Sequence, residues 1–288
     1  MLELDSSLAD KRARLLELIA GLGRVIVAYS GGIDSTVVAQ AAQLALGERA
    51  LAVTGVSASL AAGELDEARQ IAARIGIRHE ALPTDEFANP SYVQNAPDRC
   101  YHCKTELYSQ LERLAERYPD AVILNGANLD DGGDYRPGLQ AAAEHRVRSP
   151  LAECGFTKAD VRALAVSWDL PTWDKPASPC LSSRVAYGEA VSPERLAMID
   201  AAEQHLRSLG LRTVRVRYHA GDLARIEAPV EALAKLCEPV VREALLARLQ
   251  ELGFRYATLD LAGFRSGSLN DVLPLEALRQ FAAPGRKR

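Results

Sequence analysis

No stretch of the 288-residue chain approaches the ~20 consecutive apolar residues of a membrane span. The first residues, with Glu3, Asp5 and Asp10, lack the basic-then-apolar order of a secretory signal, so a cytoplasmic protein without a membrane partner is expected. Basic charge is not in excess either. The net charge of −4 gives no global attraction to nucleic acid, and the basic end Arg286-Lys287-Arg288 is too short to change that. Cysteines are few and odd in number: five in a chain this long argue against a disulfide framework and for free, catalytic or metal-binding thiols. Internal repeats and low-complexity segments are missing. What is left, 48% hydrophobic and 25% charged residues, is the composition of an ordinary globular protein long enough for two domains.

Two phosphate signatures are also lacking, since no Gly-x-x-x-x-Gly-Lys-Ser/Thr occurs and no Gly-x-Gly-x-x-Gly follows the first strand. In their place stands Ser30-Gly31-Gly32-Ile33-Asp34-Ser35-Thr36, directly after the apolar run Val25 to Tyr29. Two glycines let backbone N–H groups face a phosphate, the following helix adds its positive N-terminal dipole, and Ser30, Ser35 and Thr36 add hydroxyls. Asp34 would repel bound phosphates unless a divalent cation sat between them, which implies magnesium.

Around this turn the pattern alternates strand and helix: strands at 24–29, 50–56, 78–82 and 121–124, and helices at 35–46, 62–75, 104–117 and 157–168. That rhythm predicts an α/β fold with a doubly wound, mostly parallel sheet over residues 1–185. The segment 171–193 holds four prolines and reads as an active-site loop leading to a boundary. Beyond it, helix 193–209, an alternating strand at 212–219, a strand at 223–227, helical sequence 229–252 broken at Pro239 and a strand at 256–261 predict a smaller α+β domain, 186–288. Val214, Val216 and Tyr218 alternate with Arg215, Arg217 and His219, so this first strand is expected to be half-buried with its arginines on the open face.

Ligands of such sheets sit at the carboxyl ends of strands, which directs attention to three further segments. Residues 53–59, including Ser57, would border the base of a nucleotide. Asn125-Gly126-Ala127-Asn128-Leu129-Asp130-Asp131 forms a second strand-end loop, and Arg136 downstream is placed for an anionic substrate. Cys100-Tyr101-His102-Cys103 is compatible with a redox pair, half a zinc site or part of an iron–sulfur site. A thioredoxin-like pair would follow the first strands of its own fold, and tetrahedral zinc would need a fourth ligand. Cys180, in the Pro-rich loop, is placed where a thiol can face the cleft, and three thiolates around a [4Fe-4S] cluster would leave one iron open for a ligand such as sulfide. Cys154 and Cys237 have no spacing partner and are expected to be structural.

The glycine turn resembles the PP-loop of the ATP pyrophosphatases and tRNA sulfur transferases, with a Rossmann-like fold and cleavage of ATP to AMP and pyrophosphate. In that group a Gly-Thr-Asn-x-Asp-Asp loop borders the nucleotide, and Ala127 here replaces the threonine. Over nearly the whole chain the resemblance narrows to the LarE sulfur transferases of nickel-pincer cofactor biosynthesis. It is carried by Ala28–Thr36, Asp134–Leu139, Ser182-Ser183-Arg184 with Tyr187-Gly188, Thr213–Arg217, Ala224–Glu227, Gly253–Leu261 and Gly263–Gly267.

This resemblance implies a substrate, pyridinium-3,5-biscarboxylic acid mononucleotide, whose carboxylates are adenylated and converted to thiocarboxylates. It implies ATP and Mg2+ at Ser30, Gly31, Gly32, Asp34, Ser35, Thr36, Ser57 and Gly126, with Asp34, Ser35 and Cys180 catalytic. Arg136, Arg184, Glu203, Arg215, Arg217 and Arg265 would bind the substrate. Some members sacrifice one cysteine, whereas others carry three and a [4Fe-4S] cluster. Cys100, Cys103 and Cys180 match the second type, fed by sulfide or a sulfur carrier. A homo-oligomer, a hexamer by resemblance to the family, is also implied. An iron–sulfur tRNA thiolation enzyme and a non-catalytic ATP-binding module are the competing readings.

Overall fold

The computed structural model describes residues 5–133, 137–176, 178–265 and 267–272. Four parallel strands, β1 (Arg24–Ala28), β2 (Ala50–Val56), β3 (Arg78–Pro83) and β4 (Ala121–Leu124), form a sheet in the order β3-β2-β1-β4. Val25, Ile26 and Val27 are all fully buried, because consecutive side chains enter two different cores. Val25 and Val27 pack with α1 (Ser6–Ala20), α2 (Ile33–Leu46) and α3 (Glu64–Ile75). Ile26 packs on the other face with Tyr108, Leu111 and Leu114. This is the doubly wound arrangement. The chain runs outward from β1 through β2 to β3 and returns to place β4 on the other side, so the crevice between the ends of β1 and β4 is the topological switch point.

Between β3 and β4 lie α4 (Pro90–Val93) and α5 (Arg99–Ala115). Helix α5 starts five residues earlier than the periodicity suggests, which puts Cys100 and Cys103 on its first turns. Between β4 and α8 (Lys158–Ser167) lie α6 (Pro137–Glu144) and α7 (Pro150–Glu153). Thr157 and Asp160 close a reciprocal capping box at the start of α8.

A third core is built by α9 (Pro193–Ser208), β5 (Arg215–His219), β6 (Leu223–Glu227), α10 (Val230–Cys237), α11 (Pro239–Glu251) and β7 (Tyr256–Leu259). The three strands lie in the order β5-β6-β7, with β5 and β6 antiparallel and β6 and β7 parallel. The expected half-buried strand is covered on both faces: Arg215 through Tyr218 are all buried. Tyr92, Leu181 and Val185, which precede residue 186, belong to this core, and Val185 bridges Tyr218. Cys154 is buried as expected, whereas Cys237 is exposed, because Leu236 takes the inward position at the end of α10.

Candidate active site

The turn after β1 is organised by its own hydroxyls. Ser30 Oγ lies 3.1 Å from Ser35 Oγ and accepts from the Gly32 N–H at 3.3 Å, while Ser35 Oγ donates to the Gly32 carbonyl at 3.1 Å. Gly31 has φ +69°, and a Cβ there would meet Ala68 of α3 at 3.2 Å. Gly32 caps α2 without a side-chain bond, which leaves the dipole end to a ligand. Thr36 differs from expectation. It is fully buried, its hydroxyl beside that of Tyr29, whose own pKa burial pushes up to about 12. The hydroxyl expected to face a phosphate is therefore a core group.

Gly126 brings the second loop against the first. A Cβ on it would fall 2.7 Å from the Ser35 amide nitrogen and 3.0 Å from the Asp34 carbonyl carbon, so only glycine permits this approach. Asn128 Nδ2 then donates to Asp34 Oδ1 at 3.1 Å, and Lys158 forms an ion pair with Asp34 Oδ2. The Lys158 amide donates to Asp130 Oδ2 at 2.7 Å. Lys158, which the sequence reading missed, gives Asp34 a cationic partner. Its signal was a lysine at the first position of a helix, where the dipole disfavours a cation unless anions face it. Ser57 donates to the buried Glu86 at 2.6 Å, alongside Ser59 at 2.8 Å.

Cys100 and Cys103 lie on the first turns of α5, and Cys180 is close enough to act electrostatically on Cys103. Cys100 is exposed, and Cys103 and Cys180 are half-buried. Burial first, and the neighbouring Cys180 second, hold the Cys103 thiol well above the usual range. Burial works against the charge of Arg99 and Lys104, but Cys100 and Cys180 act on both, with Cys103 also on Lys104, and the net shift is upward. Three thiols and two cations thus share one electrostatic neighbourhood. Among the described residues no group of three or more His, Cys, Asp or Glu side chains has the arrangement that holds a metal ion. The donor set itself suits a group that binds through thiolates and carries negative charge. His102 Nε2 sits 3.3 Å from Asp98 Oδ2.

The arginines expected on an open strand face form instead a buried network. Arg184, 1% exposed, pairs with Glu203 at 3.0 Å, and Glu203 also accepts from Arg207 at 2.8 Å and from the Val216 amide at 3.2 Å. Arg217 donates to Glu227 at 2.7 and 3.0 Å, and Arg225 pairs with Glu227 at 3.2 Å. Arg215 lies over the Phe264 ring, and burial, reinforced by Arg184, lowers its pKa to about 10. A guanidinium in that state is stabilised by any anion that reaches it. Glu203, expected to touch substrate, is enclosed and saturated by protein donors. Arg265 is exposed, and Arg136 lies outside the described residues, as do Ser266 and the basic C-terminal end.

The Leu181 N–H donates to the Ser59 carbonyl at 2.8 Å and joins the segment after β2 to the Cys180 turn. The NAD synthase family model matches residues 17–106, the part that contains the glycine turn. The pyridinium-3,5-bisthiocarboxylic acid mononucleotide synthase of Lactiplantibacillus plantarum is 42% identical over 278 residues, covering 96% of this chain and 100% of that protein. The chain belongs to this LarE family. An uncharacterised protein of Synechocystis sp. is 47% identical over 92% of the chain and 99% of its own length. The tRNA-specific 2-thiouridylase MnmA of Azorhizobium caulinodans is 31% identical, but over 60% of the chain and 54% of that protein. LarE-family membership and the PP-loop together make the protein an ATP-dependent sulfurtransferase.

Proposed function

We propose that the protein adenylates the carboxylates of pyridinium-3,5-biscarboxylic acid mononucleotide and converts them to thiocarboxylates. The observation that supports this reading is the Leu181–Ser59 contact, which ties the Cys180 turn to the segment after β2, with Arg184 bonded to the Cys180 carbonyl. The α2 N-terminus and the Ser30–Ser35 turn receive the ATP phosphates. A substrate carboxylate attacks the α-phosphorus, the bond to the β-phosphate oxygen breaks, and pyrophosphate leaves. Lys158, drawn from Asp34, offsets the charge on that leaving group. Mg2+ suits the Asp34 carboxylate and would share this task when bound. Arg215, buried and among cations, binds the anionic groups of the substrate.

Cys100, Cys103 and Cys180 would hold a [4Fe-4S] cluster, which supplies the sulfur that displaces AMP. Sulfide, already at the oxidation level of the thiocarboxylate sulfur, would be the source that replenishes it. Among the described residues no helix is long and apolar enough to cross a membrane, in keeping with a cytoplasmic enzyme. Residues 1–185 serve nucleotide binding and residues 186–288 substrate binding and assembly, with Tyr92, Leu181 and Val185 packing across that division, and the exposed edge strand β7, with Tyr256 outward, supports assembly as a homo-oligomer. The likeness to the 2-thiouridylase favours tRNA as the second reading, against which stands the net charge of −4. Nucleotide analysis tests the proposal: turnover dependent on the pyridinium mononucleotide yields AMP and pyrophosphate and is lost in Asp34→Ala. ADP and orthophosphate, or turnover that depends on tRNA, would overturn it.

A further inference from the structure

The main chain around Cys180 is gripped by guanidinium groups. The Pro179 and Cys180 carbonyls both accept from Arg184 Nη1, the latter at 2.9 Å. The Ser182 carbonyl accepts from Arg99 Nη1 at 2.8 Å, and the Ser183 carbonyl from Arg217 Nη1 at 3.0 Å. Each guanidinium is anchored on its far side. Glu203 holds Arg184, Glu227 holds Arg217, and Asn95 holds Arg99 while its own amide donates to Val185 and Ala186 at 3.2 and 2.8 Å. These arginines are 1%, 5% and 6% exposed for Arg184, Arg99 and Arg217, and they come from the turn itself, α5 and β5.

A planar fork of five N–H donors can join a carboxylate on one side to a carbonyl on the other, which a lysine ammonium cannot do at both places. Every guanidinium nitrogen of Arg184 is engaged, Nε and Nη2 by Glu203 and Nη1 by the turn. The same holds for Arg217, whose Nη2 also donates to Ser268 at 3.2 Å. Such groups bear on a substrate through the loop they hold.

We propose that Arg99, Arg184 and Arg217 are positioning residues for sulfur transfer, which fix the Cys180 loop by its main-chain carbonyls instead of binding the substrate. This rests on the sulfur-transfer reading above and assigns Arg184 and Arg217 a different role from the substrate contacts expected from the sequence. Adenylation occurs at the Ser30–Thr36 turn and does not need the clasp, whereas a sulfur displaced by an ångström loses on the order of 100-fold in rate. Loosening the clasp therefore separates the two half-reactions.

The test uses the full-length protein carrying Arg184→Lys or Arg99→Lys, with Glu203→Gln as a variant that removes the anchor and keeps the Arg184 fork. Alkylation of Cys180 by iodoacetamide, followed by peptide mass spectrometry, is compared with that of the exposed Cys237 in the same sample. Cys180 alkylation should rise ~10-fold or more relative to Cys237 as the loop opens. Substrate-dependent pyrophosphate release should stay within about threefold of the parent while thiocarboxylate formation falls ~100-fold. A Cys180 to Cys237 ratio within about twofold of the parent, or a KM for the pyridinium substrate raised ~10-fold with both half-reactions otherwise intact, would overturn the proposal. If the parent protein releases no pyrophosphate, the adenylation reading fails, and the alkylation ratio still decides the clasp.

Discussion

Arg215 shows how a single residue carries the trade between stability and binding. Its pKa is lowered to about 10 because burial comes first and the neighbouring guanidiniums of Arg184, Arg217 and Arg207 add to it, with Glu203 opposing. The unfolded chain therefore holds this proton more tightly than the native protein. Stability rises as pH climbs from about 10 toward the ordinary guanidinium value, and below that window the charged group is a standing cost. An anion relieves it. Arg215→Gln should weaken the pyridinium substrate by about 1.5–3 kcal/mol, measured by calorimetry, in a protein that still folds. A lower melting temperature with unchanged affinity would mark Arg215 as structural. Residues of the glycine turn were legible because their chemistry is local: Ser30, Gly32 and Ser35 bond to one another across a few positions. Lys158 and Arg99 were not, since their partners Asp34 and Ser182 lie far away in sequence.

At the scale of elements, β1, β2 and β6 follow their apolar patterns because propensity and burial agree. The misses have physical causes. Alternation along β5 gave an open arginine face, yet Arg217 is buried in a pair with Glu227, and Arg215 is buried over the Phe264 ring with a bond to the Val214 carbonyl. The start of α5 was hidden because Cys, Tyr and His are weak helix formers and Asp98 makes no capping bond. One contact between elements decides the geometry of the nucleotide crevice: the loop after β4 against the first turn of α2. Gly126→Ala forces a Cβ toward the Ser35 nitrogen, at 2.7 Å if nothing moves. Overpacking of this kind costs about 1–3 kcal/mol, visible as a lower denaturation midpoint, and should abolish ATP binding by shifting Asn128 and Lys158 from Asp34. Unchanged ATP affinity in a folded Gly126→Ala protein would detach this loop from the site.

Across the whole molecule, the thiols stand where the nucleotide-binding sheet and the third core touch. Cys100 and Cys103 come from α5, Cys180 from the turn whose Leu181 and Val185 belong to the C-terminal core. A single sacrificial donor would explain Cys180 and leave the other two without a task. The most direct test is mass spectrometry of one anaerobic reaction containing ATP, Mg2+, the pyridinium mononucleotide and sulfide. The account predicts more than one thiocarboxylate per polypeptide, matching AMP and pyrophosphate, and a protein of unchanged mass. Turnover that stops at or below one sulfur per chain, with Cys180 converted to dehydroalanine, would contradict it.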